Sequence, residues 1–227
     1  MKPIVAVLCP MDIELAAAEK AMGVLGETLE SGFEEKHFSL GNTEVVLARC
    51  GAGKTFAAAK TQKIIMTYRP EHIFVCGVAG AIDTRLDVFD VVVPEYVVHG
   101  DVYFGGPLSR TGVSDSARPL FEGKPSFTER GFRADRRHTL YPGGTLATLD
   151  AFADEEKKEF LEKECGAACI DMESASVAQM ATLHDVPFTV IRAISDNRTH
   201  SYGDFETNAP KACDEAAKAL VGMLKDF

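Results

Sequence analysis

Apolar residues in this chain fall into short, nearly continuous runs, separated by segments in which they recur at helical spacing. The continuous runs predict buried strands: Ile4–Leu8, Val45–Ala48, Ile73–Cys76, Val88–Val93, Ala167–Ile170 and Phe188–Ile194. The periodic segments predict helices: Asp12–Ala21, Thr55–Met66, Ala153–Glu164, Glu173–Leu183 and Pro210–Leu224. Strands that alternate with helices are typical of an α/β fold with a parallel or mixed sheet.

A hairpin signal makes the predicted sheet mixed. Phe33 to Leu40 and Thr43–Ala48 are separated by Gly41-Asn42, a pair that favours a tight turn. With 227 residues, the chain fits one domain, residues 1–227, with a central mixed sheet flanked by helices. Residues 104–144 are rich in Gly, Pro, Ser and Arg and predict an irregular insertion. Its arginine cluster around His138 fits either a solvated loop or an anion or partner contact.

Composition and charge narrow the class of protein. Hydrophobic residues make up 46% and charged residues 26%, as in ordinary globular proteins. The net charge of −10 argues against nucleic-acid and anionic-membrane partners. No apolar run approaches the roughly 20 residues of a membrane span. The apolar start is interrupted by Pro10 and Asp12, so it predicts a core strand and not a signal peptide. The six cysteines lack C-x-x-C spacing and predict reduced thiols in a cytoplasmic protein, with no metal site.

Two carboxylates lie at the ends of predicted buried segments. Glu173 begins a helix shortly after the run Ala167–Ile170, and Asp196 follows the run Phe188–Ile194. Carboxylates are costly to place there, and ligands bind at strand ends in open α/β sheets. The pattern favours acid/base chemistry or hydroxyl binding.

Two glycine-rich segments follow predicted strands. Cys50 to Thr55 is similar to a P-loop, but the pattern needs glycine at position 48, where Ala48 stands. Gly77-Val78-Ala79-Gly80-Ala81 predicts a second glycine turn after the next strand. Such turns let backbone N–H groups approach an oxygen-rich ligand; tight strand-to-helix packing is the alternative.

Taken together, six motifs resemble the purine nucleoside phosphorylase superfamily, and within it the bacterial methylthioadenosine/S-adenosylhomocysteine nucleosidases. They are Pro10-Met11-Asp12-Ile13-Glu14, Cys50-Gly51-Ala52-Gly53-Lys54, Gly77-Val78-Ala79-Gly80, Asp150-Ala151-Phe152, Met172-Glu173-Ser174-Ala175 and Arg192-Ala193-Ile194-Ser195-Asp196. The resemblance covers most of the chain except the insertion.

The resemblance implies an N-ribosyl hydrolase that needs no cofactor or metal. The implied catalytic residues are Asp196 as the acid that protonates the purine, Glu14 as the base that activates water, and Arg192 as the residue that orients this water. The implied substrate-binding residues are Met172, Glu173, Phe152, Ala153, Val78, Ala79, Gly80, Val102, Phe104 and Phe205. The partner is a small purine nucleoside, and a homodimer is implied, with Val102 and Phe104 on the loop that closes the other subunit's pocket.

Several alternatives stay open. Glu14 and Glu173 each fit an ordinary first-turn acid. Asp196 fits a turn or helix cap, and Arg192 fits a structural partner of a buried carboxylate. Phe152 fits plain core. At the level of function, the rivals are a nucleoside phosphorylase, a nucleosidase that takes a charged or larger 5′ group, a non-catalytic nucleoside-binding protein and a P-loop ATPase.

Overall fold

The computed structural model describes residues 2–23, 27–31, 35–102, 140–142, 144–197 and 202–225. The strands are β1 (Ile4–Cys9), β2 (Glu27–Ser31), β3 (Glu35–Leu40), β4 (Thr43–Arg49), β5 (His72–Ala81), β6 (Val91–Val93), β7 (Tyr96–His99), β8 (Leu140–Pro142), β9 (Thr145–Thr148), β10 (Ala167–Asp171) and β11 (Phe188–Asp196). The helices are α1 (Asp12–Gly23), α2 (Lys54–Tyr68), α3 (Glu155–Cys165), α4 (Ser174–Leu183) and α5 (Tyr202–Leu224).

The strands form one mixed sheet around β5. Its main path runs β2-β3-β4-β1-β5-β10-β9-β7, and β11 pairs with β5 and with β6. β5 is parallel to β1 and β11 and antiparallel to β10. A strand paired with three others is buried along its whole length, which explains why all ten of its residues are buried. The predicted α/β fold with a central mixed sheet is confirmed.

Helices cover both faces of the sheet. On one face, α2 and α4 pack together over a core that includes Ala57, Ile64 and Val177. On the other face, α1 and α5 pack together over a core that includes Ala18 and Ala216. The alanines among these residues let the helices approach the sheet closely. Of the helices in the described ranges, none is long and apolar enough to cross a membrane.

Most predicted elements are present, with shifted ends. β3 and β4 form the predicted hairpin, with Leu40 paired to Thr43 across the turn at Gly41 and Asn42. The prediction that α5 begins at Pro210 was wrong, because the helix begins at Tyr202 and continues through the proline. Proline is common in the first helical turn but removes one hydrogen bond from a helix interior. The sequence pattern did not predict the short strands β2, β7, β8 and β9.

The prediction for the second glycine segment was also wrong. Gly77 to Ala81 was predicted as a turn after the strand, but these residues form the second half of β5. Within the predicted insertion, residues 104–139 and 143, with Phe104 and the arginine cluster, lie outside the described residues. Leu140–Pro142 at its end forms β8, which is parallel to β6.

Candidate active site

A pocket opens where the ends of β5, β10 and β11 meet the starts of α1, α2 and α4. It encloses about 490 Å³, including its open mouth. The lining residues are Pro10, Met11, Glu14, Ala52, Val78, Ala79, Gly80, Phe152, Ile170, Asp171, Met172, Glu173, Ser195, Asp196 and Phe205. Four carboxylates therefore lie on the wall of one otherwise largely apolar pocket.

The structure brings most of the predicted site residues to this pocket. Of the catalytic candidates, Glu14 and Asp196 line it, and Arg192 lies beneath the wall with no exposed surface. Met172, Glu173, Phe152, Val78, Ala79, Gly80 and Phe205 also line it. Ala153 packs instead against the core beneath α3, and half-buried Val102 is outside the lining. Phe104 lies outside the described residues.

Arg192 is the centre of the charge arrangement below the pocket. Its Nη2 lies 2.6 Å from Asp171 Oδ2 and 3.3 Å from Glu173 Oε2, and its Nη1 lies 3.6 Å from Glu14 Oε1. Burial alone lowers the pKa of Arg192, but the three carboxylates outweigh burial and raise this pKa above its usual value. One guanidinium thus holds three acids from two separate parts of the chain. This contact fits the alternative in which Arg192 is a structural partner of buried carboxylates.

Glu14 is held in place by backbone groups as well as by Arg192. Its Oε2 accepts a hydrogen bond from the N–H of Met11 at 2.7 Å, and its Oε1 accepts one from the N–H of Val78 at 2.9 Å. The contact with Met11 is half of a capping box, in which a first-turn glutamate binds the backbone N–H at the helix start. Glu14 therefore caps α1 and also points its carboxylate at the pocket.

Glu173 and Asp171 lie at the junction between β10 and α4. Glu173 Oε1 accepts a hydrogen bond from the N–H of Gly53 at 2.9 Å. Asp171 Oδ1 accepts one from Thr148 Oγ1 at 2.6 Å, and both its oxygens accept hydrogen bonds from Ser174. These contacts satisfy the buried oxygens that would otherwise be costly.

Asp196 reaches the pocket through an irregularity in β11. The register against β5 shifts between Ile194, which pairs with Ala79, and Asp196, which pairs with Gly80. Such bulges re-aim a side chain at the end of a strand. Ser195 Oγ lies 2.8 Å from Asp196 Oδ1. Burial raises the pKa of Asp196, against the lowering effect of the Ser195 hydrogen bond and of Lys158.

The glycines of β5 leave room for the acids. A Cβ atom added to Gly77 would lie 2.1 Å from Glu14 Oε1 and 2.3 Å from Arg192 Nη1. A Cβ atom added to Gly80 would lie 2.8 Å from Asp196 Oδ2. All three distances are below 3.0 Å, a range that real contacts of a Cβ atom essentially never show. The glycine motif therefore permits carboxylates to approach the strand, which differs from its predicted role as a turn for an oxygen-rich ligand.

Burial sets the electrostatics of the acids. It raises the pKa of Glu14 from 4.5 to about 7, although Arg192 and the N–H groups of Val78 and Met11 act in the opposite direction. Burial also raises the pKa of Glu173, again against Arg192. A carboxyl group with a pKa near neutrality can exchange protons at physiological pH, which is what acid/base catalysis needs.

Two N–H groups of the P-loop-like segment are bound to carboxylates of the chain. Gly53 has a φ of 92° and donates its N–H to Glu173, and Lys54 donates its N–H to Asp150 Oδ1 at 2.9 Å. Lys54 Nζ lies 2.6 Å from Asp101 Oδ1. Carboxylates of the chain thus bind the lysine and two of the N–H groups that a P-loop would offer to a nucleotide.

Sequence reasoning missed Asp171 and Ser195 as parts of the site. Asp171 directly follows the apolar run Ala167–Ile170, and a buried acid at a strand end was the available signal. Ser195 had no such signal, because its contact with Asp196 depends on the bulge in β11.

All six cysteines are buried free thiols.

Fold and site together define an α/β protein whose strand ends present carboxylates to a small-molecule pocket. The phosphorylase superfamily matches residues 4–225, and the chain belongs to this superfamily. A 5′-methylthioadenosine/S-adenosylhomocysteine nucleosidase from Geobacillus kaustophilus is 30% identical, with 96% of this chain and 95% of the relative covered. An aminodeoxyfutalosine nucleosidase from Helicobacter pylori is 29% identical over 82% of both chains. A solved structure of a mutant 5′-methylthioadenosine/S-adenosylhomocysteine nucleosidase from Helicobacter pylori contains 5′-methylthioadenosine in its active site. It superposes on this chain with a TM-score of 0.87 at 26% identity, with 100% of both chains covered.

The first prediction concerns Gly77. Replacing it with alanine forces Glu14 and Arg192 apart in a region with no spare space, so we expect a loss of about 3 kcal/mol in the free energy of unfolding. The matched control is Gly222→Ala in α5, where an added Cβ meets nothing within 4 Å. The control should be neutral or gain up to about 1 kcal/mol. Denaturant titration measures both, and equal effects of the two substitutions would refute the close-approach argument.

The second prediction concerns the ionisation of Glu14. Because its pKa rises from 4.5 in the unfolded chain to about 7 in the folded protein, the folded state binds more protons between these values. The contribution of Glu14 to stability is present below pH 4.5 and is lost as the pH rises to about 7. Relative to Glu14→Gln, which cannot ionise, the wild type should lose about 3 kcal/mol across this window. Urea unfolding at several pH values measures the difference, and parallel curves would contradict the raised pKa.

Proposed function

We propose that the chain is a purine nucleosidase that hydrolyses the N-glycosidic bond of an adenine thionucleoside such as methylthioadenosine or S-adenosylhomocysteine. The observation that carries the proposal is the convergence of Glu14, Glu173 and Asp196, which are distant in sequence, on one pocket. Glycosidic cleavage passes through an oxocarbenium-like state, which needs an acid at the leaving group, negative charge near the sugar and a base for water. Relatives named as nucleosidases support the same reaction.

Asp196 is assigned as the acid. Burial raises its pKa, which favours the protonated form that can donate. In the reaction, the bond between the sugar carbon and the purine nitrogen breaks, and the electron pair goes to the purine. The proton from Asp196 goes to the five-membered ring of the base, so the base leaves uncharged. Ser195 orients the carboxyl group through its contact at 2.8 Å.

Glu14 is assigned as the base, and Glu173 as the residue that binds the ribose hydroxyls. Water attacks the sugar carbon and loses its proton to Glu14, whose pKa of about 7 lets it accept a proton near neutral pH. The fixed N–H partners of Glu14 leave its orientation little freedom. Glu173 lies beside it on the same guanidinium, so negative charge accumulates under the sugar.

Arg192 is assigned as a positioning residue for these acids. It was predicted to orient water, but it has no exposed surface and lies beneath the lining of the pocket. Its positive charge lowers the pKa of both Glu14 and Glu173, which keeps them from remaining protonated under strong burial.

Apolar side chains of the pocket suit the uncharged parts of the substrate. Phe152 is 64% exposed at the mouth and is assigned as the ring that stacks on the base. Met172 is assigned to pack on the sugar. Met11, Ala52 and Phe205 supply further apolar wall. The predicted substrate contacts of Ala153, Val102 and Phe104 remain proposals. Of these residues, Ala153 and Val102 are described and are not in the lining, and Phe104 lies outside the described residues.

The third prediction tests the reaction itself. The purified protein should release free adenine from methylthioadenosine in phosphate-free buffer, and added phosphate should leave the rate unchanged, because Glu14 activates water. Release can be followed by separation of the free base. Strict phosphate dependence would favour a nucleoside phosphorylase, and no release in either buffer would favour a non-catalytic nucleoside-binding protein. A parallel panel of purine nucleosides varied at the 5′ group identifies the substrate.

Asp196→Asn is the active-site variant for the same assay. It keeps the shape of the side chain but removes the proton donor, so the rate should fall by roughly a hundredfold to ten-thousandfold. Asp87→Asn makes the same chemical change at an exposed loop position outside the pocket and should leave the rate unchanged. If the Asp196 variant kept full activity, the assignment of the acid would be wrong.

We further propose that the protein is a homodimer, as the resemblance implies. Exposed apolar side chains on neighbouring helices support this assembly: Phe56 and Met66 on α2 are 69% and 65% exposed, and Leu183 on α4 is 56% exposed. The fourth prediction is that light scattering gives twice the monomer mass of 24.6 kDa and that Met66→Glu lowers it. A monomeric wild type would refute the dimer.

We place the reaction in the cytoplasm. The support is that all six cysteines are buried free thiols, since reduced thiols are typical of proteins in a reducing compartment.

A further inference from the structure

Three charged residues beside the pocket form a closed set of contacts. Lys54 Nζ donates to Asp101 Oδ1 at 2.6 Å and lies 3.6 Å from Asp150 Oδ2. The backbone N–H of Lys54 donates to Asp150 Oδ1 at 2.9 Å, and the backbone N–H of Asp150 donates to Asp101 Oδ2 at 3.0 Å. Each residue thus binds both others, and none of the three lines the pocket.

These three residues come from three segments that border the site. Lys54 is the first residue of α2 and directly follows Gly53, whose N–H binds Glu173. Asp150 follows β9 and stands two residues before Phe152 at the pocket mouth. Asp101 follows β7. A displacement of the Lys54 segment would move the donor to Glu173, and a displacement of the Asp150 segment would move the aromatic ring at the pocket mouth. Asp101 binds both of these segments.

The ion pair between Lys54 and Asp101 favours a fixed position for the two side chains. Burial alone raises the pKa of Asp101, but the hydrogen bonds from Lys54 and from the N–H of Asp150, together with the positive charge of Lys54, outweigh burial and hold the pKa below its usual value. Asp101 is therefore ionised at neutral pH. The side chain of Lys54 is only 17% exposed, so solvent screens this pair less than a pair on the open surface.

We propose that Lys54, Asp101 and Asp150 form an ionic clasp that holds the Gly53 N–H against Glu173 and the Phe152 loop at the pocket. Lys54 is then a positioning residue for substrate binding, which accounts for the lysine of the glycine-rich motif without a nucleotide phosphate. The effect on catalysis rests on the proposed nucleosidase function, whereas the contacts of the clasp can be tested without it.

The fifth prediction compares two lysines of the same helix. Lys54→Met breaks the clasp, and Lys60→Met breaks an ion pair between Lys60 Nζ and Glu35 Oε1 that is also 2.6 Å long, with Lys60 12% exposed. Because Glu173 binds the ribose in both the ground and the transition state, loss of its donor should raise KM for methylthioadenosine about tenfold and change kcat by less than about threefold. Lys60→Met should leave KM unchanged.

Amide hydrogen exchange measures whether the contacts of the clasp are present, independently of enzymatic activity. The N–H groups of Gly53, Lys54 and Asp150 donate to Glu173, Asp150 and Asp101, so all three depend on the clasp. They should exchange at least about tenfold faster in Lys54→Met and at the wild-type rate in Lys60→Met. This readout remains valid if the wild type releases no adenine, so failure of the clasp and failure of the nucleosidase function are distinguishable.

Lys54→Arg provides the rescue variant. It keeps the positive charge and should recover most of the exchange protection and of the wild-type KM. The proposal is overturned if Lys54→Met matches Lys60→Met in both KM and exchange, or if Lys54→Arg behaves like Lys54→Met.

Discussion

The contact on which the rest of the site depends is that of the Arg192 guanidinium with three buried carboxylates. Asp171, Glu173 and Glu14 lie 2.6, 3.3 and 3.6 Å from its nitrogens. A buried charge without a partner is strongly unfavourable, so removal of one member of such a set costs more than the contact itself contributes. Three acids share one cation here, which explains why burial still raises the pKa of Glu14 and of Glu173. The same contact supports the fold and holds the acids on which the proposed reaction depends.

Carboxylates that line the pocket also bind the backbone at the starts of helices. Glu14 caps α1 through the N–H of Met11 and also faces the pocket. Glu173 is the residue before α4 and accepts the N–H of Gly53 at the start of α2. Backbone donors therefore fix the orientation of two carboxylates that line the pocket. Such preorganisation lowers the cost of orientation during the reaction.

Sequence reasoning reached most of the secondary structure and the acids, and it failed where a pattern had two physical meanings. The hairpin at Gly41 and Asn42 was correct because turn chemistry is local. The glycines of β5 were mistaken for a turn because glycine suits both a turn and the close approach of a side chain. Lys54 after two glycines is similar to a phosphate-binding lysine, and only the positions of Asp101 and Asp150 show that its charge is already paired.

By itself, the sequence determined the α/β class, the order of most elements and the acidic residues at the ends of strands. Those properties depend on local hydrophobic periodicity and on residue type. Only the tertiary structure decided that Arg192 lies beneath the pocket, that the bulge in β11 turns Asp196 toward it, and that Asp171 and Ser195 belong to the site. These features depend on strand register and on contacts between residues far apart in the chain. Neither the register nor these contacts can be inferred from a short stretch of sequence.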